Sequence, residues 1–346
     1  MQDYVFEKDQ YFGKIHNDYV KYFKRLPRLF RLTGKSNRIY FTKERGKPAV
    51  VYTSGTTLID NFHDKSGAIA LESWRKRLLI EGLDPAVVLK TRQDYGTILH
   101  IIYGKLLLKE EMSYQLASDI ITKIAIEDVG MKEEKAEEFV SKHLTEFKKD
   151  IGAFVQWLID FEVEPIAIEA MMKTDKYMAA TAIDLVANIT VQEKGFYGEV
   201  YKSGANKGEP KQTVGKSRKR VIVDFKSGKG SGFYPKNILQ LLLNRVIWEE
   251  NFPEVKLDGI YNFSPKNWRT SPTYEFADQE RESKQTTYLN SIKENVFERG
   301  LKEFTEETLN KRELVMEGNV YTPYIAQRSL HELADTYFDM EVVDEE

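Results

Sequence analysis

The stretch from Arg220 to Asn244 constrains the fold of this chain more than any other, since it combines a strand pattern, a glycine-rich turn and a helix pattern. Apolar residues alternate with other residues from Val221 to Lys226, which predicts a mostly buried strand. Side chains two residues apart share one face of a strand, so Asp224 and Lys226 are expected to project together. Charges in an apolar setting are costly unless they pair or bind an ion. The strand therefore predicts a functional site where it ends.

Two more carboxylates lie on predicted strands upstream of this one. Glu169 lies in the apolar run FEVEPIAIEAMM, and Asp184 lies near the middle of the run YMAATAIDLVANITVQ. Gln240 follows on the helix after the glycine-rich turn. Isolated carboxylates on buried strands are harder to explain as solvated side chains than carboxylates on a helix surface. We therefore expect these three side chains to converge with Asp224.

The chemistry that suits this set is hydrolysis of a phosphodiester. That reaction needs a water made nucleophilic near neutral pH and a place for developing negative charge. Carboxylates that converge on Mg²⁺ or Mn²⁺ meet the first need, because hard divalent ions prefer oxygen ligands. Asp184 and Asp224 are expected to hold the metal, with Glu169 as a further ligand or a support for metal-bound water. The backbone carbonyl of Phe225 adjoins Asp224 and is expected to add an oxygen.

Lys226 and Gln240 are expected to act on the phosphate and the attacking water. Because Lys226 shares a strand face with Asp224, its ammonium can orient the water or stabilise charge. Gln240 is expected to position Lys226 or the DNA from the helix. A purely structural alternative is a partly buried Asp224–Lys226 ion pair, with Asp184 as a turn or capping residue.

Residues 66–160 have a helical pattern that includes a histidine in an apolar setting. The expected helices cover residues 67–81, 85–109, 111–127 and 133–160. His100 lies in the second of them, within YGTILHIIYGKLL. Its neighbours alone leave open whether it is a core histidine, a group that supports the site or a metal ligand.

The strings IDLV and VIVDFKSGK, followed by a helix with Gln240, resemble the PD-(D/E)XK nuclease superfamily. Within it they resemble the RecB-like exonuclease branch, which includes nucleases of CRISPR adaptation and many phage exonucleases. Gly96, Thr97 and His100 match a GTxxH motif that this branch carries on an upstream helix. The resemblance implies that His100 is a metal ligand.

The resemblance also implies roles for the acidic residues. Glu169 corresponds to the upstream acidic residue of the family, and Asp184 corresponds to the motif aspartate. Asp224 and Lys226 correspond to the D-x-K pair.

Three departures limit the match. Asn244 stands four residues after Gln240, where the branch often has tyrosine, and Thr181 stands near the place of a usual glycine. The subgroup with an iron–sulfur cluster is excluded because its members carry four cysteines and this chain has none.

The fold that the resemblance implies is α/β, with a restriction-endonuclease-like core in which helices flank a central mixed β-sheet. We expect an N-terminal hairpin and helical region at residues 1–160, this core at 161–265, and a helical C-terminal extension at 266–346. The hairpin is predicted at residues 38–60, where two β-rich runs flank a polar turn. The last sixteen residues, with seven Asp or Glu, are expected to form an acidic tail.

Basic residues cluster in two places, although the net charge is -3. Residues 21–47 contain ten Lys or Arg and one Glu, with aromatic residues among them on an expected short helix broken near Pro27. This suits contacts with phosphates and bases, and it equally suits an amphipathic helix with solvated cations. Residues 202–220 contain seven Lys or Arg and one Glu, and a mobile hairpin loop is favoured there over a dedicated DNA contact.

The bulk composition limits the compartment and the kinds of site. The absence of cysteine excludes disulfides, thiolate zinc sites and cysteine nucleophiles. No apolar run is long enough to span a bilayer, and the N-terminus lacks a signal-peptide pattern. We expect a cytoplasmic protein, in the host cytoplasm if phage-encoded, with no membrane partner.

The expected function is that of a metal-dependent deoxyribonuclease, an exonuclease that hydrolyses DNA ends in recombination, repair or phage DNA processing. DNA is the expected partner, together with a recombination or single-strand-binding protein. The alternatives are a sequence- or structure-specific endonuclease of the same fold and a DNA-binding protein that has lost catalysis.

Overall fold

A computed structural model describes residues 13–23, 26–33, 38–42, 50–62, 65–109, 112, 116–200, 202–228, 233–280, 314–317 and 322–324. The described strands are β1 Lys14–His16, β2 Phe30–Thr33, β3 Arg38–Thr42, β4 Val50–Ser54, β5 Glu164–Thr174, β6 Ala179–Val200, β7 Pro210–Phe225, β8 Gly259–Pro265, β9 Tyr274–Asp278, β10 Leu314–Glu317 and β11 Thr322–Tyr324. The described helices are α1 Val20–Phe23, α2 Gly55–Phe62, α3 Lys65–Ile80, α4 Pro85–Leu107, α5 Ala117–Glu127, α6 Glu133–Asp160 and α7 Pro235–Asn251.

These strands form one mixed sheet in which the long strand β6 has three neighbours. β5 pairs antiparallel along one edge of β6. On the other edge, β4 pairs parallel at Ala179 and Ala180, and β7 pairs antiparallel from Leu185 onward. The described part of the sheet therefore divides into two branches between Ala180 and Leu185, and this division positions the site.

The remaining strands extend the sheet from these neighbours. β3, β2 and β10 continue beyond β4, β8 and β9 continue beyond β7, and β1 and then β11 continue beyond β5. One sheet thus draws strands from all three of the ranges expected from the sequence. The α/β class and the mixed sheet flanked by helices are confirmed.

Strand β7 is buried on both sides, because helices cover both faces of the sheet. Val221, Val223 and Phe225 belong to a core that includes buried residues of α4, α5 and α6. Ile222 belongs to a second core, which includes buried residues of α7. The predicted alternation along this strand is confirmed, and Asp224 lies on the same face as Ile222.

Most of the predicted helices are confirmed, with small changes at their ends. α4 begins at Pro85, where the side chain of Asp84 accepts a hydrogen bond from the Ala86 N–H and caps the helix. α5 begins at Ala117, later than predicted. α6 runs over 28 residues and ends at Asp160, as predicted.

Two predictions from the first half of the chain are wrong in part. β3 and β4 form the predicted antiparallel hairpin, but residues 55–60 belong to helix α2. Before Pro27, the described helical residues are the 3-10 turn Asn17–Tyr19 and α1, and Phe30–Thr33 is strand β2, paired with β3. Lys24 and Arg25 lie outside the described residues.

The predicted loop at residues 202–220 is also wrong in part. β7 begins at Pro210 and pairs with β6 from Pro210 opposite Val200 to Arg220 opposite Asn188. This pairing satisfies backbone groups that a loop would leave to water. Of the described residues, those numbered 202–209 connect the two strands.

The helical C-terminal extension is wrong for the residues that the structure describes. Tyr274–Asp278 is strand β9, which pairs antiparallel with β8. Leu314–Glu317 and Thr322–Tyr324 are also strands. The expected acidic tail, residues 331–346, lies outside the described part of the chain.

None of the helices in the described ranges has both the length and the apolar character that crossing a bilayer requires.

Candidate metal centre

Asp184 lies on β6 at the point where the sheet divides. β4 contacts β6 as far as Ala180, and the pairing of β7 begins at Leu185. The carboxylate of Asp184 accepts a hydrogen bond from the main-chain N–H of Phe225 through Oδ2, at 2.8 Å. The side chain of Asp184 thus bonds β6 to β7 at the point where the regular backbone pairing of the two strands ends.

Glu169 lies on β5 beside this point, with an unusual backbone conformation. Its neighbours Ile168 and Ala170 pair with Leu185 and Ile183, which brackets Asp184 on the facing strand. The φ angle of Glu169 is 49°, a left-handed value that is uncommon for a residue with a side chain. Residues held in such conformations cluster at functional sites.

His100 reaches the two carboxylates from helix α4. Its Nδ1 lies 3.8 Å from Glu169 Oε1 and 3.8 Å from Asp184 Oδ2. The imidazole ring packs edge-on against Phe225, with 6.0 Å between ring centroids. The helix and the two strands therefore meet at one place.

His100, Glu169 and Asp184 form what we call the ligand cluster. One ligand atom from each residue lies within 4.8 Å of the others, and the side chains of both acids are 12% exposed. One imidazole nitrogen and two carboxylate oxygens are donors suited to a divalent metal ion. The cluster can hold a metal ion, and these residues fit one.

The charges in the cluster shift its pKa values. Burial, together with the nearby charges of Asp224 and Glu169, raises the pKa of Asp184 to about 7, against the opposing effect of His100. Burial disfavours the charged form of His100, but the carboxylates of Asp184 and Glu169 outweigh it and raise the pKa of His100. The two carboxylates beside the histidine repel each other, and a bound cation would reduce that repulsion.

Asp224 and Lys226 form an ion pair next to the ligand cluster. Lys226 Nζ lies 3.0 Å from Asp224 Oδ1 and 2.8 Å from Asp224 Oδ2. Lys226 also donates to Gln240 Oε1 on α7 at 3.2 Å, a contact in line with the first of the two roles expected for Gln240, positioning Lys226 or the DNA. Asp224 is 1% exposed and is not one of the three residues of the cluster, although its charge acts on Asp184.

Phe225 contributes its main-chain N–H and its ring. The N–H donates to Asp184, and the ring packs against Tyr103, Phe154 and Trp157 in the core. The metal-binding role expected for its carbonyl oxygen stays a prediction.

The GTxxH residues have different surroundings. A Cβ atom added at Gly96 would lie 3.1 Å from Ser227 Oγ, so the glycine lets α4 approach the end of β7 closely. The Thr97 hydroxyl donates to the Gln93 carbonyl of its own helix, at an exposed position. Gly96 and His100 therefore face the site, whereas Thr97 completes a bond within α4.

Asn262 is a site residue that sequence reasoning missed. It lies on β8, is 0% exposed, and donates from Nδ2 to Asp224 Oδ2 at 2.8 Å. The signal was an amide in the middle of the apolar run GIYNFSP. Asn244, noted as a departure on α7, is 2% exposed, so it is part of the buried face of that helix.

No protein-family model matches the chain, and no curated protein sequence matches it.

Proposed function

We propose that this chain is a metal-dependent nuclease whose cofactor is Mg²⁺ or Mn²⁺. The observation that carries the proposal is the arrangement around Asp184. Two carboxylates and an imidazole lie within 4.8 Å of one another, and a lysine paired with a further aspartate lies beside them. Ligands for a hard cation next to a fixed ammonium suit the cleavage of a phosphodiester.

The ligand cluster would hold the metal ion, and the charge of a further carboxylate, Asp224, acts on Asp184. A divalent ion bound there supplies a water of lowered pKa and stabilises negative charge on the phosphate. Asp184 is held in place for this task by the Phe225 N–H. Glu169 is held by its strand, where its carbonyl accepts the Gly13 N–H at 3.2 Å.

Lys226 is the group proposed to face the phosphate. Its side chain is 25% exposed, whereas that of its partner Asp224 is 2% exposed. Asp224 and Gln240 restrict the lysine to one direction. A preorganised ammonium stabilises charge that develops in the transition state without reorganising at that moment.

The substrate that we propose is DNA, attacked at its ends. This choice follows the resemblance of the IDLV, D-x-K and GTxxH strings to exonucleases. End-labelled linear duplex, the same DNA as a closed circle, and single-stranded DNA are incubated with Mg²⁺, Mn²⁺ or EDTA. Degradation of linear DNA that needs the metal and spares the circle supports an exonuclease, and cleavage of the circle indicates an endonuclease.

Lys226→Met tests whether the site is responsible for the activity. The change keeps a long side chain and removes the ammonium, so nuclease activity is expected to fall by two orders of magnitude or more, roughly the effect of losing one preorganised donor. Lys173→Met is the matched control, because Lys173 pairs with Asp175 outside the site and its loss is expected to leave cleavage unchanged. Full activity in Lys226→Met would remove the basis of the proposal.

A further inference from the structure

The strand beside the D-x-K pair contains a polar residue that needs an explanation. All seven residues of β8 are buried, and Asn262 in the middle is 0% exposed. A buried amide costs folding free energy unless its polar atoms are bonded. Either the amide nitrogen and oxygen of Asn262 both have hydrogen-bond partners, or the residue is present because it has a role in the site.

The hydrogen bonds of Asn262 favour the second explanation. Nδ2 donates to Asp224 Oδ2 at 2.8 Å, and the two residues are register partners on parallel strands. Oδ1 of Asn262 is buried and has no hydrogen-bond partner among the described residues. A flipped amide would turn that oxygen toward the carboxylate, so Asp224 dictates the orientation of the amide. An apolar side chain of similar size would avoid the unbonded oxygen, but it would leave Asp224 Oδ2 without this donor.

The backbone of β8 supports the same pair of residues. The Lys226 N–H donates to the Phe263 carbonyl at 2.8 Å, and the Ser264 hydroxyl donates to the Gly228 carbonyl. These two bonds fix the main chain that follows the strand. Asn262 adds the one contact from β8 that fixes the side chain of Asp224.

The two oxygens of Asp224 are held differently. Oδ2 accepts from Asn262 and contacts Lys226, both at 2.8 Å. Oδ1 has Lys226 as its partner at 3.0 Å in the described part of the chain. Because Lys226 contacts both oxygens, it can leave Oδ1 and keep Oδ2. Oδ1 is therefore the oxygen that a cation can recruit.

We propose that Asn262 is a positioning residue that anchors Asp224 Oδ2 and so presents Oδ1 to a divalent ion at the ligand cluster. The inference rests on the proposed metal-dependent function and deepens it, since it names the group that orients Asp224. Donors that orient a metal-binding carboxylate contribute to metal affinity although they do not touch the metal.

Calorimetric titration of the whole chain with Mn²⁺ alone tests this role. Asn262→Leu keeps the size of the side chain and removes the amide, and Mn²⁺ affinity is expected to weaken about 10- to 100-fold. The kcat for DNA cleavage should fall with KM for DNA unchanged, because a fully buried residue makes no contact with DNA. Asn262→Ala is measured in parallel, in case leucine prevents folding, and circular dichroism checks that each variant folds.

Asn251→Leu is the matched control. Asn251 also bridges two elements, since its Nδ2 donates to the carbonyls of Lys173 and Ile247, but it lies outside the site. Its loss is expected to lower thermal stability and to leave Mn²⁺ affinity at the wild-type value.

The outcomes separate this inference from the proposed function. Wild-type Mn²⁺ affinity in a folded Asn262 variant would overturn the positioning role, and so would an equal loss of affinity in Asn251→Leu. A wild-type protein that binds Mn²⁺ and cleaves no DNA would overturn the nuclease proposal, while the titrations would still decide the role of Asn262. Absence of Mn²⁺ binding by the wild type would overturn both.

Discussion

Phe225 donates its main-chain N–H to Asp184 Oδ2 over 2.8 Å, which joins β7 to β6 at the ligand cluster itself. The last regular pair of the two strands is Leu185 with Val223. A carboxylate then takes the place of the next backbone acceptor. Asp184 is thus a part of the sheet and a candidate ligand at once, so its charge and its hydrogen bond can be tested separately.

Asp184→Asn is expected to remove metal binding without harming the fold. The asparagine oxygen can still accept the Phe225 N–H, but the ligand charge is gone. Because burial raises the pKa of Asp184 to about 7, the folded state at pH 8 holds a charge that it disfavours. The metal-free variant should therefore melt at or above the wild-type Tm at pH 8, with no Mn²⁺-dependent rise in Tm. Calorimetric scans with Mn²⁺ and with EDTA measure both effects.

Asp175→Asn serves as the control for that change. Burial acts against the charged form of Asp175, but its bonds to Lys173 and Tyr52 prevail and lower its pKa. Loss of this charge should therefore lower the Tm and leave the Mn²⁺-dependent rise intact. A Mn²⁺-dependent rise that survives in Asp184→Asn would contradict the ligand assignment.

The metal-free protein is expected to lose stability as the pH rises from about 4 to above 7. The pKa of Asp184 is about 7 in the folded state, against an ordinary value of 3.8, so the folded state keeps a proton that the unfolded chain releases. The pKa of His100 is also raised, which adds a loss in the same direction as the pH rises through it. Urea unfolding in EDTA across this range should show a falling free energy of unfolding. The fall should be smaller in Asp184→Asn, and equal slopes in the two proteins would contradict the prediction.

The sequence predicted the strand and the helix that carry the candidate site residues better than it predicted the pairing of the sheet around them. The strand periodicity at Val221–Phe225 and the helical pattern around His100 are local signals, and both are confirmed. Glu169 and Asp184 were identified as charged residues within apolar runs. Burial of a charge is costly whichever strands pair, so this signal does not depend on the pairing. The structure brings these two acids together with His100.

The rest of the site depends on contacts between residues far apart in the chain. Asn262 meets Asp224 only because β8 returns parallel to β7, and no local pattern specifies that partner. The loop predicted at 202–220 has a composition typical of turns, but pairing with β6 overrides it. The orientation of the Asp224 carboxylate likewise depends on Asn262, which reaches it from another strand.

Tyr95→Phe is expected to destabilise the helix layer that carries His100. The Tyr95 hydroxyl donates to Asp150 Oδ2 at 2.7 Å and links α4 to α6 at a buried position. Burial and the charge of Asp150 raise the pKa of Tyr95, so the hydroxyl stays a donor. Removing a buried donor from a carboxylate should lower the free energy of unfolding by about 1.5 to 3 kcal/mol, as measured by urea unfolding.

Thr91→Val is the control in the same helix. The Thr91 hydroxyl donates to the Val87 carbonyl at an exposed position, so its loss should change the free energy of unfolding by less than about 0.5 kcal/mol. An effect of Tyr95→Phe as small as this would show that the Tyr95–Asp150 bond does not stabilise the helix layer.

Gly96→Ala is expected to disturb the site through Ser227, and Ser227→Ala is expected to cancel the disturbance. A Cβ at position 96 would lie 3.1 Å from Ser227 Oγ but 3.8 Å from Ser227 Cβ, so the conflict is with the hydroxyl alone. Ser227 follows Lys226 directly, and a shift there moves the ammonium that we propose faces the phosphate. Alanine also favours a helix interior over glycine by roughly 0.5 to 1 kcal/mol. The double variant should therefore be more stable than Ser227→Ala by about that amount and as active as Ser227→Ala. Gly96→Ala alone should be less active than the wild type.

Urea unfolding and cleavage of linear DNA measure the four proteins of this cycle. Equal effects of Gly96→Ala with and without the Ser227 hydroxyl would show that the close approach does not matter.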